Sequence, residues 1–359
     1  MSENTKKLIL GIETSCDETA VSVVAHYGLG RGEILSNIVR TQLKEHKDFG
    51  GVVPELAARS HIIHLENITQ KALEEANIGL DEIDAIAATA GPGLIGGVLV
   101  GLTFAKGLSA ATNKPLIAVN HLEAHALSAR LSDDVSFPYL MLLVSGGHSQ
   151  FLLVKNIGDY QLWGTTIDDA LGECFDKVAK MLSLGMPGGP KVEKMALKGD
   201  NKRFKFPRPL LHEKRLDFSF SGLKTAVRLQ AEKIAPLNEQ DICDICASFQ
   251  QAVIDIISAR SNDAIIKFKQ EFPDIKCQLI VAGGVAANKE ISKALNKIAL
   301  QQNATLIVPP ISLCTDNGAM VAFAGAERLA LGASDGLDFV AKPRWPLDSE
   351  DMKVRKNEL

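Results

Sequence analysis

Two histidines four residues apart, in His121-Leu122-Glu123-Ala124-His125, carry the clearest chemical signal in the chain. On a helix, positions i and i+4 share a face, so both imidazoles can reach one metal ion. Glu123 would then point about 200° around the helix from His121. Zinc peptidases need His-Glu-x-x-His, with the glutamate beside the first histidine acting as general base. Here the glutamate is in a different register. The pattern reads as a metal that holds or polarises a substrate, and not as one that activates water for proteolysis. Two histidines on a solvated helix face are the alternative that the pair alone leaves open.

Three further segments could present backbone donors to an anion. Residues 8–13 form an apolar strand that runs into the turn Thr14-Ser15-Cys16-Asp17-Glu18 and returns through residues 20–24. Residues 140–144 run into Ser145-Gly146-Gly147-His148 and return through residues 151–154. Residues 279–282 end in Gly283-Gly284-Val285, after which Asn288 opens a helix. The first two segments are one device used twice, strand, small polar turn, strand, and make a weak internal repeat. Small residues let N–H groups approach an anion closely, although ordinary tight turns use the same residues.

The elements that must hold these residues alternate. Helices are expected at 54–76, 94–111, 121–131, 169–182, 241–269, 289–299 and 317–331, with strands at 83–89 and 116–119 between them. Such alternation implies sheets covered by helices. A chain of 359 residues is too long for one compact core. We expect an N-terminal lobe over residues 1–133 and a second lobe over 134–316 that carries most of a nucleotide pocket. The boundary falls in the polar linker 132–138. A C-terminal helix at about 317–340 returns to the first lobe, and residues 341–359 form a tail whose opening could dock on a surface. Two lobes, each opened by a hairpin with a small polar turn, suggest the α/β actin-like, sugar-kinase and Hsp70-type ATPase (ASKHA) fold, with the turns facing each other across an interlobe cleft.

Composition limits the partners. The net charge of −4 gives no overall basic field, so a nucleic acid must be met by a local patch or through a partner. The best local candidate is Lys202-Arg203-Phe204-Lys205-Phe206-Pro207-Arg208 with Lys214-Arg215, where basic and aromatic residues interleave; a solvated loop is the alternative. The six cysteines lack framework spacing and read as reduced thiols; Cys243-Asp-Ile-Cys246 reads as helix packing. Residues 85–105 carry no charge over a span long enough for a membrane helix, but Gly91-Pro92-Gly93 breaks it into a strand, a turn and a helix. Glu13 and Asp17 come too early for a signal peptide. A cytoplasmic protein with no membrane span is expected.

Set in order, several stretches resemble the TsaD family of tRNA N6-adenosine threonylcarbamoyltransferases: Gly11-Ile-Glu-Thr-Ser-Cys-Asp-Glu-Thr19, Gly50-Gly-Val-Val-Pro-Glu-Leu-Ala57, Thr89-Ala-Gly-Pro-Gly-Leu94, the His121–His125 pair, Leu143-Val-Ser-Gly-Gly-His148, Phe175-Asp-Lys177, Pro187-Gly-Gly-Pro190, Phe218-Ser-Phe-Ser-Gly-Leu-Lys224, Ala282-Gly-Gly-Val285 with Asn288, Cys314-Thr-Asp-Asn-Gly-Ala-Met320 and Arg344-Trp-Pro-Leu347. The resemblance covers nearly the whole chain. It implies the actin-like fold and one divalent metal, Fe2+ or Zn2+, on His121, His125 and Asp316. Two imidazoles and a carboxylate suit either ion and leave positions open for substrate; taken by itself, Asp316 would be a helix N-cap.

The resemblance also assigns the other site residues. Leu143, Val144, Ser145, Gly146 and Gly147 would offer backbone donors to acyl or phosphate groups, and His148 could touch the phosphate. Asp176 and Glu193 would bind ribose hydroxyls, Gly189 would line the nucleoside pocket, and Asn288 would lie near the adenine. Without the family, Asp176 is a solvated helix carboxylate and Asn288 a helix cap. Glu13 and Asp17 are candidates for accepting a proton or orienting the reacting groups. The implied reaction moves the threonylcarbamoyl group of threonylcarbamoyl-AMP to N6 of the adenosine next to the anticodon, in tRNAs that read codons beginning with A. The implied bound nucleotide is threonylcarbamoyl-AMP, AMP or ATP. The implied partners are tRNA, a TsaB-like paralogue and a TsaE-like ATPase, with the helix at 54–76 and the uncharged helix at 93–105 as interface material. The competing readings are a sugar kinase or other ATPase of the same fold, a metallopeptidase, and a non-catalytic scaffold.

Overall fold

The computed structural model describes residues 6–46, 49 and 51–354. Gly50, which opens one of the stretches above, and the last five residues of the expected tail lie outside the described residues. The chain packs as two compact units, Met1–Phe137 with Lys155–Tyr160 and Thr315–Leu359, and Pro138–Val154 with Gln161–Cys314.

In the first unit, β1 (Lys7–Glu13), β2 (Glu18–His26) and β3 (Gly32–Thr41) form an antiparallel meander. After α1 (Leu43–His46) and α2 (Pro54–Ala76), β4 (Ala85–Gly91) pairs parallel with β1. Then α3 (Ile95–Thr112) leads to β5 (Leu116–Asn120), parallel to β4, and directly into α4 (His121–Ser132). The sheet order is β3-β2-β1-β4-β5. β1, β4 and β5 are apolar runs buried along nearly their whole length, as interior strands covered on both faces must be. β3, at the edge, is exposed or half-buried along its length except at Ser36.

In the second unit, β6 (Tyr139–Val144), β7 (Ser149–Asn156) and β8 (Asp159–Thr165) come first. Helices α5 (Leu171–Met181), α6 (Gly188–Ala196), α7 (Ser221–Lys233) and α8 (Glu239–Glu271) follow. The unit closes with β9 (Gln278–Ala282), α9 (Lys289–Gln301), β10 (Thr305–Ile307) and α10 (Ile311–Cys314). The order β10-β9-β6-β7-β8 repeats that of the first sheet: β6 pairs antiparallel with β7 and parallel with β9, as β1 does with β2 and β4. The repeat read in the two hairpins is therefore a repeat of whole sheets.

Aromatic rings fill the second core. Phe218 stacks between Phe151 and Phe220, and Phe175 meets Phe249 edge-on. Asp168 accepts from Ser219 Oγ, Ser221 Oγ and the N–H groups of Phe220 and Ser221, so it supplies acceptors to the start of α7. α3 and α8 are each long and apolar enough to cross a membrane by length and composition. α8 is mostly buried within its unit, and α3 packs on α2 and β4. Cys243 and Cys246 are buried on α8, and all six cysteines are free thiols.

Helix α11 (Gly318–Ala330) lies across the first sheet. Contact there is backbone to backbone: a Cβ on Gly11 would sit 2.3 Å from Gly318 O. Beyond α11 the chain runs along the same unit. Asp335 bridges to Leu116, Lys342 N–H donates to Ala90 O, and Trp345, Leu347 and Met352 are buried. Gly91, at φ +138°, has to be glycine here, because a Cβ would fall 1.7 Å from Lys342 O.

Candidate functional site

The candidate metal-binding residues are placed by local rules. β5 ends in Asn120, whose Oδ1 accepts from the N–H groups of Leu122 and Glu123 and caps α4. His121 is therefore the first residue of the helix and His125 lies one turn on. Their rings are 4.7 Å apart and nearly perpendicular. Asp316 Oδ1 lies 3.1 Å from His125 Nε2 and 3.6 Å from His121 Nε2. The three residues' donor atoms all lie within 4.8 Å of one another. Asn317, and not Asp316, caps α11, by accepting from Met320 N–H. The neighbour does the capping and the Asp316 carboxylate turns to the histidines.

Behind His121 sits Glu13, fully buried at the end of β1. Its Oε2 is 3.0 Å from His121 Nδ1 and accepts from Thr89 Oγ, while its Oε1 accepts from Ser15 N–H. Ser15 Oγ also approaches His121 Nδ1, at 3.2 Å. His125 Nδ1, in contrast, is buried without a hydrogen-bond partner. Burial alone would lower the pKa of His121, but the carboxylates of Asp316 and Glu13 outweigh it and push it up to about 9. Burial would raise Glu13, yet the attraction and hydrogen bond of His121 hold it below the usual carboxylate range. Glu18 is pushed up to about 9 by burial, then by Asp316 and Asp17. Two imidazoles and a carboxylate within reach of one point, with one imidazole oriented by a second carboxylate and surplus acid nearby, are a donor set that fits a divalent cation.

Glu123 is directed elsewhere. Its Oε1 accepts from Tyr160 O–H, its Oε2 pairs with Arg328 Nε, and the residue is fully buried. The register argument is realised as a structural ion pair. Asp17 lies in the β1–β2 turn and is partly exposed.

The remaining candidates lie in the second unit, where Gly146, Asp176, Gly189, Glu193 and Asn288 line a cavity of about 260 Å³ together with Gly172, Phe175 and Gly284. The starts of α5, α6 and α9 surround it. Asp176 Oδ1 accepts from Gly188 N–H and Glu193 Oε1 from Lys289 N–H, so each carboxylate satisfies a helix start beside the cavity. Asn288 is both a cap and a lining residue: Oδ1 accepts from Glu290 and Ile291 N–H, and Nδ2 donates to Gln250 Oε1. Gln250 had no signal in the sequence beyond its place on the buried face of α8. At Gly146, Gly189 and Gly284 a Cβ would meet nothing within 4 Å. Their backbones border open space, as close approach of a ligand requires.

The turn expected to meet an anion is narrower than the sequence suggests. Leu143 and Val144 are buried strand residues, paired with Gln150 and Ala282 and with Ser149. Ser145 N–H donates to His148 O, and His148 N–H to Ser145 Oγ. Of the five backbone positions, Gly146 and Gly147 are the exposed ones. His148 is partly buried at the end of the turn.

The arginines of the basic stretch are paired with acids. Arg203 is held by Asp241 and Asp244, Arg208 by Asp255, and Arg215 by Asp217. Phe206 is buried and stacks with Phe204. Acids of α8 neutralise Arg203 and Arg208, and Asp217 pairs with Arg215, which leaves Lys202, Lys205 and Lys214.

Two five-stranded mixed sheets of one order, each opened by a hairpin and flanked by helices, define the actin-like, sugar-kinase and Hsp70-type α/β fold. The crystal structure of HypF from T. kodakarensis shares it, at a TM-score of 0.59 and 16% identity over 92% of this chain and 48% of that one. At that identity the likeness is one of fold, and this chain spans about half of HypF. Closer relatives exist in sequence. Proteins of Brucella canis and Brucella ovis described as tRNA N6-adenosine threonylcarbamoyltransferase are each 58% identical over 347 residues, covering 96% of this chain and 97% of the relative. Residues 33–323 match the TsaD family, described in the same words. The chain belongs to this family of transferases.

Proposed function

We propose that the chain transfers the threonylcarbamoyl group of threonylcarbamoyl-AMP to N6 of the adenosine beside the anticodon, in tRNAs reading codons that begin with A. The observation that carries the metal-assisted form of this reading is the convergence of His121, His125 and Asp316, with Glu13 fixing His121. A divalent ion there, Fe2+ or Zn2+, would orient the donor and stabilise negative charge on its carbonyl or phosphate oxygens.

The rest is done by the chain itself. Transfer breaks the acyl carbon–phosphate oxygen bond, forms a bond from that carbon to N6, releases AMP and removes a proton from N6. Gly146 and Gly147 N–H groups present preorganised donors to the acyl or phosphate oxygens. Asp176 and Glu193 hold the ribose, Gly189 lets the nucleoside approach, and Asn288, steadied by Gln250, lies toward the adenine. Glu13, engaged by Ser15, Thr89 and His121, suits orientation better than proton transfer. Asp17 in the adjacent turn is our acceptor, with His148 contacting the phosphate. The acceptor base has to be unstacked before it can react.

The partners follow the same reading. Ile62, Ile63, Ile95 and Leu99 are exposed on α2 and α3 beside a groove lined by Leu65, Val100 and Phe104. Apolar surface of this kind marks an interaction face, and we assign it to a TsaB-like paralogue, with a TsaE-like ATPase acting in the same cytoplasmic assembly. A metallopeptidase reading loses its general base to the Glu123–Arg328 pair. The test is mass spectrometry of nucleosides from unmodified tRNA incubated with the chain, its partners, a divalent metal and threonylcarbamoyl-AMP. Threonylcarbamoyladenosine should form with wild type and not with His121→Ala. Adenosine left unmodified by the complete wild-type mixture would overturn the proposal.

A further inference from the structure

The C-terminal segment Asp335–Met352 touches the start of α4 directly through Asn120 and reaches Glu123, on the other side of His121, by way of Arg328. Asn120 is fully buried. Its Oδ1 caps the helix, and its Nδ2 donates to Trp345 O at 2.9 Å and lies 3.4 Å from Met352 Sδ. Glu123 pairs with Arg328, whose Nη2 donates to Met352 O at 2.9 Å. A third route passes through a turn: Gly93 N–H donates to Pro343 O and Leu94 N–H to Ser15 O, while Ser15 Oγ approaches His121 Nδ1.

From this we infer that the Asp335–Met352 segment is a strap that sets the position of the first metal ligand, and that Asn120 is the positioning residue joining the two. The inference rests on the metal reading of His121, His125 and Asp316. One carboxamide performs two tasks at this point. Its oxygen fixes where the helix starts, and its NH2 fixes that start against the strap. Asp would keep the cap but has no donor to meet Trp345 O. Since His121 is the residue between the capping Asn120 and the capped Leu122, a shift of Asn120 is a shift of His121. Groups that orient a ligand from outside are typically worth about 10–100-fold in metal affinity.

Coupling of this kind is reciprocal. An ion that holds His121 must also steady the strap, so wild type alone can test it, by hydrogen–deuterium exchange with and without Zn2+ and with Zn2+ binding measured in parallel by chelator competition. Saturation with Zn2+ should slow exchange of the strap amides, Lys342 and Met352 among them, and Asp316→Asn should abolish that protection. Asn120→Asp should speed strap exchange, weaken Zn2+ binding about tenfold or more, and recover tRNA modification at saturating Zn2+. Failure of wild type to bind Zn2+ would remove the metal reading. Binding of Zn2+ that leaves strap exchange unchanged would overturn the coupling by itself, whether or not Asn120→Asp folds.

Discussion

Glu13 Oε2 lies 3.0 Å from His121 Nδ1, and this pair decides which nitrogen of His121 faces Asp316. A carboxylate on one ring nitrogen fixes the tautomer and raises the basicity of the other. Glu13→Gln keeps the shape and removes the charge. It is expected to weaken divalent-metal affinity about 10–100-fold and to be rescued by excess metal. Chelator competition at graded metal concentration checks this; unchanged affinity would return Glu13 to the proton acceptors.

The pocket glycines should separate binding from stability. A Cβ on Gly189 or Gly146 meets nothing within 4 Å, so Gly189→Ala and Gly146→Ala should leave unfolding free energy within about 1 kcal/mol of wild type. The same methyl enters the space assigned to the donor nucleotide, where overpacking costs about 1–3 kcal/mol. KM for threonylcarbamoyl-AMP should therefore rise about tenfold or more. Steady-state kinetics beside thermal melts give both numbers.

Asp168 gives a pH-dependent stability term. Burial would raise its pKa, but bonds from Ser219, Phe220 and Ser221 hold it below its ordinary value. A depressed carboxyl stabilises the fold above its unfolded pKa, near 4, and this contribution fades as pH falls through the folded value. Asp168→Ala should cost about 0.5–2 kcal/mol at pH 7, and the gap from wild type should narrow toward pH 3. Urea melts at the two pH values measure it. A gap that widens in acid would contradict the assignment.

The exposed face of α2 and α3 should matter only to assembly. Leu99 is 47% exposed, so Leu99→Glu should leave melting temperature nearly unchanged while weakening capture of the TsaB-like paralogue. The isolated chain should modify tRNA poorly. Robust turnover with tRNA and threonylcarbamoyl-AMP alone would refute that dependence.

Legibility in the sequence followed the strength of local signals. Helix α2 carries its proline at the start, and α4 follows a strand that ends in a capping asparagine, so both could be placed closely. β3 and β8 are half-exposed strands of mixed polarity, β10 has three residues, and α6 opens on Gly188-Gly189-Pro190, which reads as a loop. None of these was anticipated, nor was α7. The histidine pair announced itself by spacing. Asp316 did not, because its distance from the pair is bridged only by the folding of α11 onto the first sheet; the family resemblance supplied it. The ion pairs of the basic stretch are hidden in the sequence for the same physical reason. Arg203 and Arg208 look free in one dimension, and only the packing of α8 brings Asp241, Asp244 and Asp255 against them.

The most direct measurement of the metal-centred account is anomalous diffraction from crystals of the protein purified without chelator, collected on either side of the iron and zinc absorption edges. The account predicts one strong peak coordinated by His121, His125 and Asp316, lost in Asp316→Asn. A well-ordered site without an anomalous peak after soaking in both metals, or a peak bound by other residues, would contradict it.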